Sequence, residues 1–232
     1  MEKNKIKLSV VIPCYNEEKN IHIILDKFND IISTDDIEVI LVDNGSTDNS
    51  LQLLKTLIPN YHFAKLVIVE VNQGYGFGIT SGLNSAEGEF IGYTHADLQT
   101  DPFDVLKAFD LILKSKQPKD TYVKGYRKNR PFFDQLFTTG MSIFESFYLR
   151  TKLWDINAQP NIFHRSFFEN LKNIPKDFSL DLYLLFMSSK RQINLVRFDV
   201  FFPPRLHGNS SWNNGFSSKW KFIKRTINFS FK

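Results

Sequence analysis

A chain of 232 residues that is 42% apolar, 15% aromatic and 23% charged has globular composition, which excludes wholesale disorder and a collagen-like fibre. The net charge of +4 hides a division: residues 1–116 carry 10 lysines, no arginine and 17 acidic residues, whereas residues 117–232 carry 19 basic and 8 acidic residues, all eight arginines and 17 of the 23 phenylalanines. One cysteine, Cys14, excludes an internal disulfide, and no stretch of about 18 uncharged apolar residues reads as a transmembrane helix.

Met1–Lys7 is polar with no signal-peptide pattern, and a reducing cytoplasmic compartment is the expectation. Leu8–Ile12 then reads as a strand, and Ile21, Ile24, Leu25, Phe28 and Ile32 recur at helical spacing. Ile37–Val42 is a second strand. The turn Asn44-Gly45-Ser46 leads to a helix with Leu51, Leu54 and Leu57, which Ser46 or Thr47 suits as N-cap. Leu66–Val71 and Glu89–Tyr93 are the third and fourth strands. Asp101-Pro102 starts another helix, with Asp as N-cap and Pro at the first helical position. Tyr122–Lys124 is a fifth strand. This alternation predicts a doubly wound α/β sheet, in which ligands bind at the carboxyl ends of strands.

Beyond residue 130 the pattern changes. Phe133, Leu136, Phe137, Gly140, Met141, Phe144, Phe147 and Tyr148 predict an amphipathic helix over 132–149, packed on the sheet or lying at a bilayer interface. In Ser217–Lys232, Trp220, Ile223 and Ile227 face one way with four basic residues nearby, a better candidate for a membrane surface. A basic, Phe-rich half suits an anionic partner with apolar character, such as a lipid phosphate; single-stranded nucleic acid is the rival, and ordinary surface charge over a Phe-rich core the plainest account. No Pro/Gly/Ser linker marks a second domain.

The chemistry-bearing residues follow the strands. After strand one come Pro13, Cys14, Tyr15, Asn16, Glu17 and Glu18. Pro13 ends regular pairing because it lacks an N–H, Tyr15 can stack on a planar ring, and Glu17 can accept hydrogen bonds. Both glutamates also suit a helix first turn. Asp43, after strand two, can accept from a base N–H or a ribose hydroxyl. Asn72-Gln73-Gly74-Tyr75-Gly76-Phe77-Gly78 lets backbone approach a ligand, yet it is neither a P-loop nor a dinucleotide fingerprint. After strand four, His95-Ala96-Asp97-Leu98-Gln99 offers a carboxylate and an amide oxygen. Those are hard ligands for Mg²⁺ beside a substrate phosphate.

Taken together, Val-Ile-Pro-Cys-Tyr-Asn-Glu-Glu, Val-Asp-Asn-Gly-Ser-Thr-Asp and Ala-Asp-Leu-Gln resemble the family 2 glycosyltransferases of GT-A fold. Within them the chain resembles the branch of dolichol-phosphate mannose synthase and the bacterial polyprenyl-phosphate sugar transferases, over roughly residues 8–215. The resemblance implies one GT-A domain over 1–232, with a nucleotide-sugar half (1–125) and an acceptor half (126–232). It implies that Pro13, Tyr15, Glu17 and Asp43 surround the base and ribose of a UDP- or GDP-sugar, with Gly74 close by. It also implies that Asp97 and Gln99 hold Mg²⁺ or Mn²⁺. His95 stands where the family usually has its first Asp, and neutral His suits Mn²⁺ better than Mg²⁺. Arg127, in Lys124-Gly125-Tyr126-Arg127, resembles the arginine that contacts an acceptor phosphate, with Arg130 a second candidate. Arg205 and Ser210, in Arg205-Leu206-His207-Gly208-Asn209-Ser210, resemble the loop over the nucleotide diphosphate. The helix over 132–149 resembles the family's interface segment.

Asp181 matches in position the acid that is the general base in many members. A sugar hydroxyl needs that base, whereas a lipid phosphate is already ionised and leaves Asp181 only to position groups. The expected activity is inverting sugar transfer to a polyprenyl phosphate, peripheral to the cytoplasmic face of a membrane, directly or through a membrane partner protein, with no nucleic-acid partner. Transfer to a glycan hydroxyl with Asp181 as base is the first alternative. A non-catalytic nucleotide-sugar binder or scaffold, kept open by His95, is the second.

Overall fold

The computed structural model describes residues 5–129 and 132–203, with backbone alone at 132–134 and 137. The elements in chain order are β1 (Leu8–Cys14), α1 (Ile21–Ile31), β2 (Ile37–Asn44), α2 (Ser50–Leu57), β3 (Ala64–Val69), α3 (Tyr75–Ser85), β4 (Phe90–Tyr93), α4 (Pro102–Leu113), β5 (Thr121–Lys128), α5 (Phe132–Tyr148), β6 (Asn161–His164), α6 (Arg165–Glu169), α7 (Leu180–Lys190) and β7 (Asn194–Phe201). The strands form one seven-stranded sheet in the order β3-β2-β1-β4-β6-β5-β7. β1, β2, β3 and β4 pair in parallel, β6 runs antiparallel to both its neighbours, and β5 and β7 are again parallel.

The central strands are continuous apolar runs because both faces of the sheet are covered. On one face Ile21, Ile24, Leu25 and Phe28 of α1, Leu54 of α2 and Val105, Ala108 and Ile112 of α4 close a core. On the other, Ile79 and Leu83 of α3, Phe167 and Phe168 of α6 and Leu182, Leu184 and Leu185 of α7 do the same. α7 buries nearly all of its first two turns, Asp181 among them. The register brings Cys14 beside Asp43 and Asn44 beside Val69, so the loops after β1, β2 and β3 open at one edge of the sheet.

Several expectations need correction. β1 continues through Pro13 to Cys14. Val11 O accepts from Thr94 N at 3.0 Å, so Pro13, two residues on, turns its N to the same side, where β4 has already ended and no partner is lost. β3 stops at Val69 because its partner β2 stops at Asn44. β5 runs on to Lys128 because β7 pairs with it along its whole length. α2 is not capped by Ser46 or Thr47: its N-cap is Asn49, and Asp48 Oδ1 accepts from Ser50 N at 2.9 Å. α4 starts as expected, with Asp101 accepting from Phe103 N at 3.0 Å and Pro102 at the first helical position.

Candidate active site

The loops after β1 and β2 are knitted by Asn16, whose left-handed backbone (φ 58°) turns the chain sharply. Its side-chain Oδ1 accepts from Thr47 N at 2.8 Å, and its own N–H donates to Ser46 Oγ at 3.2 Å. Glu17 N donates to Ser50 Oγ at 2.8 Å, and the Glu17 carboxylate accepts from Asn20 Nδ2 at 2.5 Å. Tyr15 stands out from this frame, 47% exposed, as a ring available for stacking. Burial pushes the Cys14 thiol well above its usual range, and the charges of Glu17, Asp43 and Asp48 push it further. Three carboxylates thus gather around the ends of β1 and β2, a setting that suits N–H and O–H donors. Asp43 is buried with no hydrogen bond to Oδ1, and neighbouring Asn44 likewise has none to its Oδ1. Buried acceptors left unmatched cost free energy, so these atoms favour a ligand that donates.

The glycine run differs from its expectation. Gly74 takes φ 118°, and a Cβ on it would lie 2.5 Å from the Lys176 carbonyl oxygen; a Cβ on Gly76 would lie 2.5 Å from the Pro175 oxygen. Phe77 N donates to Lys176 O at 2.9 Å. The close backbone approach that these glycines permit is made by segment 175–177 of the chain itself, and α3 begins there.

Asp97 lies buried in the loop after β4, and its Oδ1 accepts from Gln99 N at 3.1 Å across Leu98, whose φ is 59°. Gln99 Nε2 donates to Pro203 O at 2.9 Å, tying this loop to the chain after β7. Among the described residues no three His, Cys, Asp or Glu side chains group as a metal centre. One carboxylate and one amide still match the sparse protein donor set that Mg²⁺ or Mn²⁺ accepts when phosphate oxygens complete its shell. The His95 ring sits 6.1 Å from that of Tyr75, which stacks on Phe178 at 4.8 Å.

Asp181, in the first turn of α7, is only 2% exposed. Its Oδ1 accepts from Tyr93 Oη at 2.9 Å and Gln159 Nε2 at 3.2 Å, and faces Lys124 Nζ at 3.5 Å. Lys124 on β5 is fully buried and donates to Asn161 Oδ1 at 2.6 Å and Ala158 O at 2.7 Å. Burial pulls its ammonium down to about 7, against the opposing pull of Asp181. Burial, then the charge of Asp181, pushes the Tyr75 and Tyr93 hydroxyls well above the phenol range.

Arg127, at the end of β5, is paired with Asp155: Nη2 reaches Oδ1 at 2.5 Å, and both side chains are 7% exposed. The pair lines a small open cleft beneath α5, with Thr138, Thr139, Ser142 and Trp154. Arg130, Arg205, Ser210 and the 217–232 stretch lie outside the described residues.

Asn16, Asp155 and Gln159 were missed from sequence. Asn16 and Gln159 carry no signal outside the fold, and Asp155 follows Trp154 in an irregular stretch. Lys124 offered one: a lysine directly after Tyr122 and Val123 in a short expected strand is a candidate for a buried charge.

A mostly parallel sheet with carboxylate-bearing loops at its strand ends is the architecture of a GT-A fold. The family model of glycosyl transferase family 2 matches residues 9–171, and the chain belongs to that family. The undecaprenyl-phosphate 4-deoxy-4-formamido-L-arabinose transferase of Yersinia enterocolitica is 38% identical over 109 residues, which cover 45% of this chain and 33% of that protein. The protein of the same description from Yersinia pestis is 36% identical over 103 residues, covering 43% and 31%. The match thus spans about a third of the length of these curated relatives. Among solved structures, glucosyl-3-phosphoglycerate synthase of Mycobacterium tuberculosis with Mn²⁺, UDP and glucosyl-3-phosphoglycerate superposes with a TM-score of 0.73 at 18% identity, covering 99% of this chain and 80% of that one. The same enzyme with Mg²⁺ and UDP gives a TM-score of 0.72, also at 18% identity, covering 99% and 79%. These structures establish the GT-A fold.

Proposed function

We propose that this chain is an inverting glycosyltransferase that moves a sugar from a nucleotide-diphosphate sugar to a polyprenyl phosphate at a membrane surface. The observation that carries the acceptor class is the setting of Asp181. A general base must reach the proton it removes. Asp181 is 2% exposed, with Tyr93 and Gln159 already donating to it. An acceptor that arrives ionised needs no such base. The curated relatives, by their description, act on undecaprenyl phosphate.

In this reading Pro13, Tyr15, Glu17 and Asp43 hold the base and ribose, with Asp43 Oδ1 accepting from the nucleoside. Asp97 and Gln99 hold the divalent cation, and Arg205 and Ser210 reach the diphosphate. The cation, when bound, offsets negative charge on the leaving diphosphate. An acceptor phosphate oxygen attacks the anomeric carbon from the opposite face, the bond to the diphosphate breaks, and the nucleoside diphosphate leaves with the electron pair. Arg127 meets the acceptor phosphate at the cleft beneath α5, exchanging part of its contact with Asp155 for phosphate oxygens.

Peripheral membrane contact is supported by the outer face of α5. Leu136, Ile143, Phe144 and Tyr148 are exposed there, and Phe147 is 86% exposed. Apolar side chains in a row suit the headgroup boundary of a bilayer. No helix among the described residues is long and apolar enough to cross a membrane. Contact at the cytoplasmic face, directly or beside a membrane partner protein, belongs to the same proposal.

A second reading, transfer to a glycan hydroxyl, is favoured by the lining of the cleft: Thr138, Thr139, Ser142 and Trp154 suit a sugar, and Asp155 neutralises Arg127. The test measures UDP or GDP release from a panel of nucleotide-sugars, with Mn²⁺, using undecaprenyl phosphate vesicles or glycan acceptors. Vesicle-dependent release that is reduced less than about a hundredfold in Asp181→Asn supports the lipid-phosphate reading. Glycan-dependent release abolished by Asp181→Asn supports the second. Tight nucleotide-sugar binding with no release by any acceptor refutes both and favours a non-catalytic binder.

A further inference from the structure

Among the described residues, a buried polar network centres on Lys124 and Asp181. The ammonium of Lys124, 0% exposed, has three oxygens around it: Asn161 Oδ1 at 2.6 Å, Ala158 O at 2.7 Å and Asp181 Oδ1 at 3.5 Å. An ammonium carries three donors, so its capacity is filled by these contacts. Asn161 Oδ1 also accepts from Tyr122 Oη at 2.6 Å, and Asn161 Nδ2 donates to Gln159 Oε1 at 2.5 Å. Gln159 Nε2 in turn donates to Tyr75 Oη at 3.2 Å as well as to Asp181.

These contacts converge from five parts of the chain. Tyr93 is the last residue of β4, immediately before the loop that carries Asp97. Tyr75 is the first residue of α3 and brings its ring toward His95. Gln159 and Asn161 bring the chain entering β6, Asp181 brings α7, and Lys124 brings β5. The residue that enters the 94–101 loop and the ring beside His95 are therefore tied to one buried pair of opposite charges. A hydrophobic residue at 124 would fill the space but leave Asp181, Asn161 and the Ala158 carbonyl without their shared donor. Buried networks of this kind fix geometry more than they add stability.

We propose that Lys124 is a positioning residue for the transfer reaction: through Asp181, Tyr93 and Tyr75 it holds the loop bearing Asp97 and His95 in its reactive arrangement. The inference rests on the transferase reading for its kinetic consequence, while its structural consequence is measurable without turnover. The test uses the full 232-residue chain, free of ligand, and follows amide hydrogen exchange in Lys124→Met, with Tyr93→Phe and Tyr75→Phe as milder variants that lose one hydroxyl each and keep the ring. Exchange is expected to quicken at least tenfold at 74–78, 93–101 and 158–161, and to stay within twofold of wild type in β1, β2 and β3. Unchanged exchange in the three segments overturns the proposal, and so does a uniform rise across the sheet, which would mark Lys124 as merely structural. Should Lys124→Met fail to fold, the two tyrosine variants decide by the same criterion.

With a nucleotide-sugar that the wild type turns over, the same variants should lower kcat at least tenfold with donor KM within threefold. A raised KM at unchanged kcat overturns the proposal. A wild-type protein that releases no nucleotide from any donor refutes the transferase reading instead, and leaves the exchange result to judge Lys124.

Discussion

The backbone N–H of Arg127 donates to Asp155 Oδ2 at 2.8 Å while its Nε donates to Oδ1 at 2.9 Å, so one carboxylate holds both the main chain and the guanidinium of the same arginine. Breaking a buried pair of this kind strands the surviving charge. Arg127→Ala and Asp155→Ala are each expected to lower stability by about 3–5 kcal/mol. The double variant should recover part of that loss, giving a coupling energy of about 1–3 kcal/mol in urea unfolding. Additive costs would show the two residues to be energetically independent.

Asp97→Ala is expected to abolish sugar transfer and leave the fold intact. The substitution removes the acceptor for Gln99 N, a contact that contributes about 1 kcal/mol. The check pairs thermal unfolding with titration of Mn²⁺ in the presence of UDP. The variant should unfold within a few degrees of wild type and show no metal-dependent gain in midpoint. A retained metal response would place the cation elsewhere.

Asp43→Ala should have opposite effects on the free and the nucleotide-bound protein. Asp43 Oδ1 is buried without a hydrogen-bond donor, so its removal relieves a desolvation cost and should leave the free protein at least as stable. A hydrogen bond from the nucleoside to a charged acceptor contributes about 1.5–3 kcal/mol, so nucleotide affinity should fall roughly 10- to 150-fold. Calorimetric titration with UDP and GDP measures this. Unchanged affinity for both would remove Asp43 from the nucleoside site.

The pH dependence of stability should carry the mark of Lys124. Burial lowers its folded-state value to about 7, with Asp181 and Asp155 opposing and Arg197 and Arg127 adding to the shift. Between about 7 and the ordinary lysine value near 10.4, the unfolded chain holds a proton that the native protein has released. Stability therefore rises with pH across that window, by at most about 1.4 kcal/mol per unit for one proton. Above about 10 the unfolded tyrosines ionise, whereas Tyr75, Tyr93 and Tyr122, whose hydroxyls desolvation and the charge of Asp181 push well above the phenol range, stay protonated in the native state, and stability falls again. In Lys124→Met the rising limb should vanish and the falling limb persist. Parallel curves for the two proteins from pH 7 to 10 would contradict the assignment.

The first half of the fold was legible because its signals are local. Leu8–Ile12 and Ile37–Val42 are largely apolar runs, and Asp101-Pro102 is a helix start that the structure bears out, with Asp101 capping through Phe103 N. The second half was less legible. β6 is four residues long and exists because β4 and β5 offer it two edges, which no window of sequence around Asn161 records. The glycines at 74, 76 and 78 were open to misreading because a glycine announces a close approach without saying what approaches; here it is the Pro175–Asp177 backbone and Asn44. Asp97, Gln99 and Asp43 stand at strand ends as their positions implied. Arg127 was found, but its partner Asp155 was not, since the two are joined only by the return of the chain after α5.

Asn16 binds the turns after β1 and β2 to one another before any guest arrives. Loops already fastened to one another lose little further disorder on capture, so nucleoside recognition in the proposed reading should resemble a rigid socket more than a closing hand. Selectivity for the base would then be inherited from the frame, leaving the sugar-facing side open to change independently over evolutionary time.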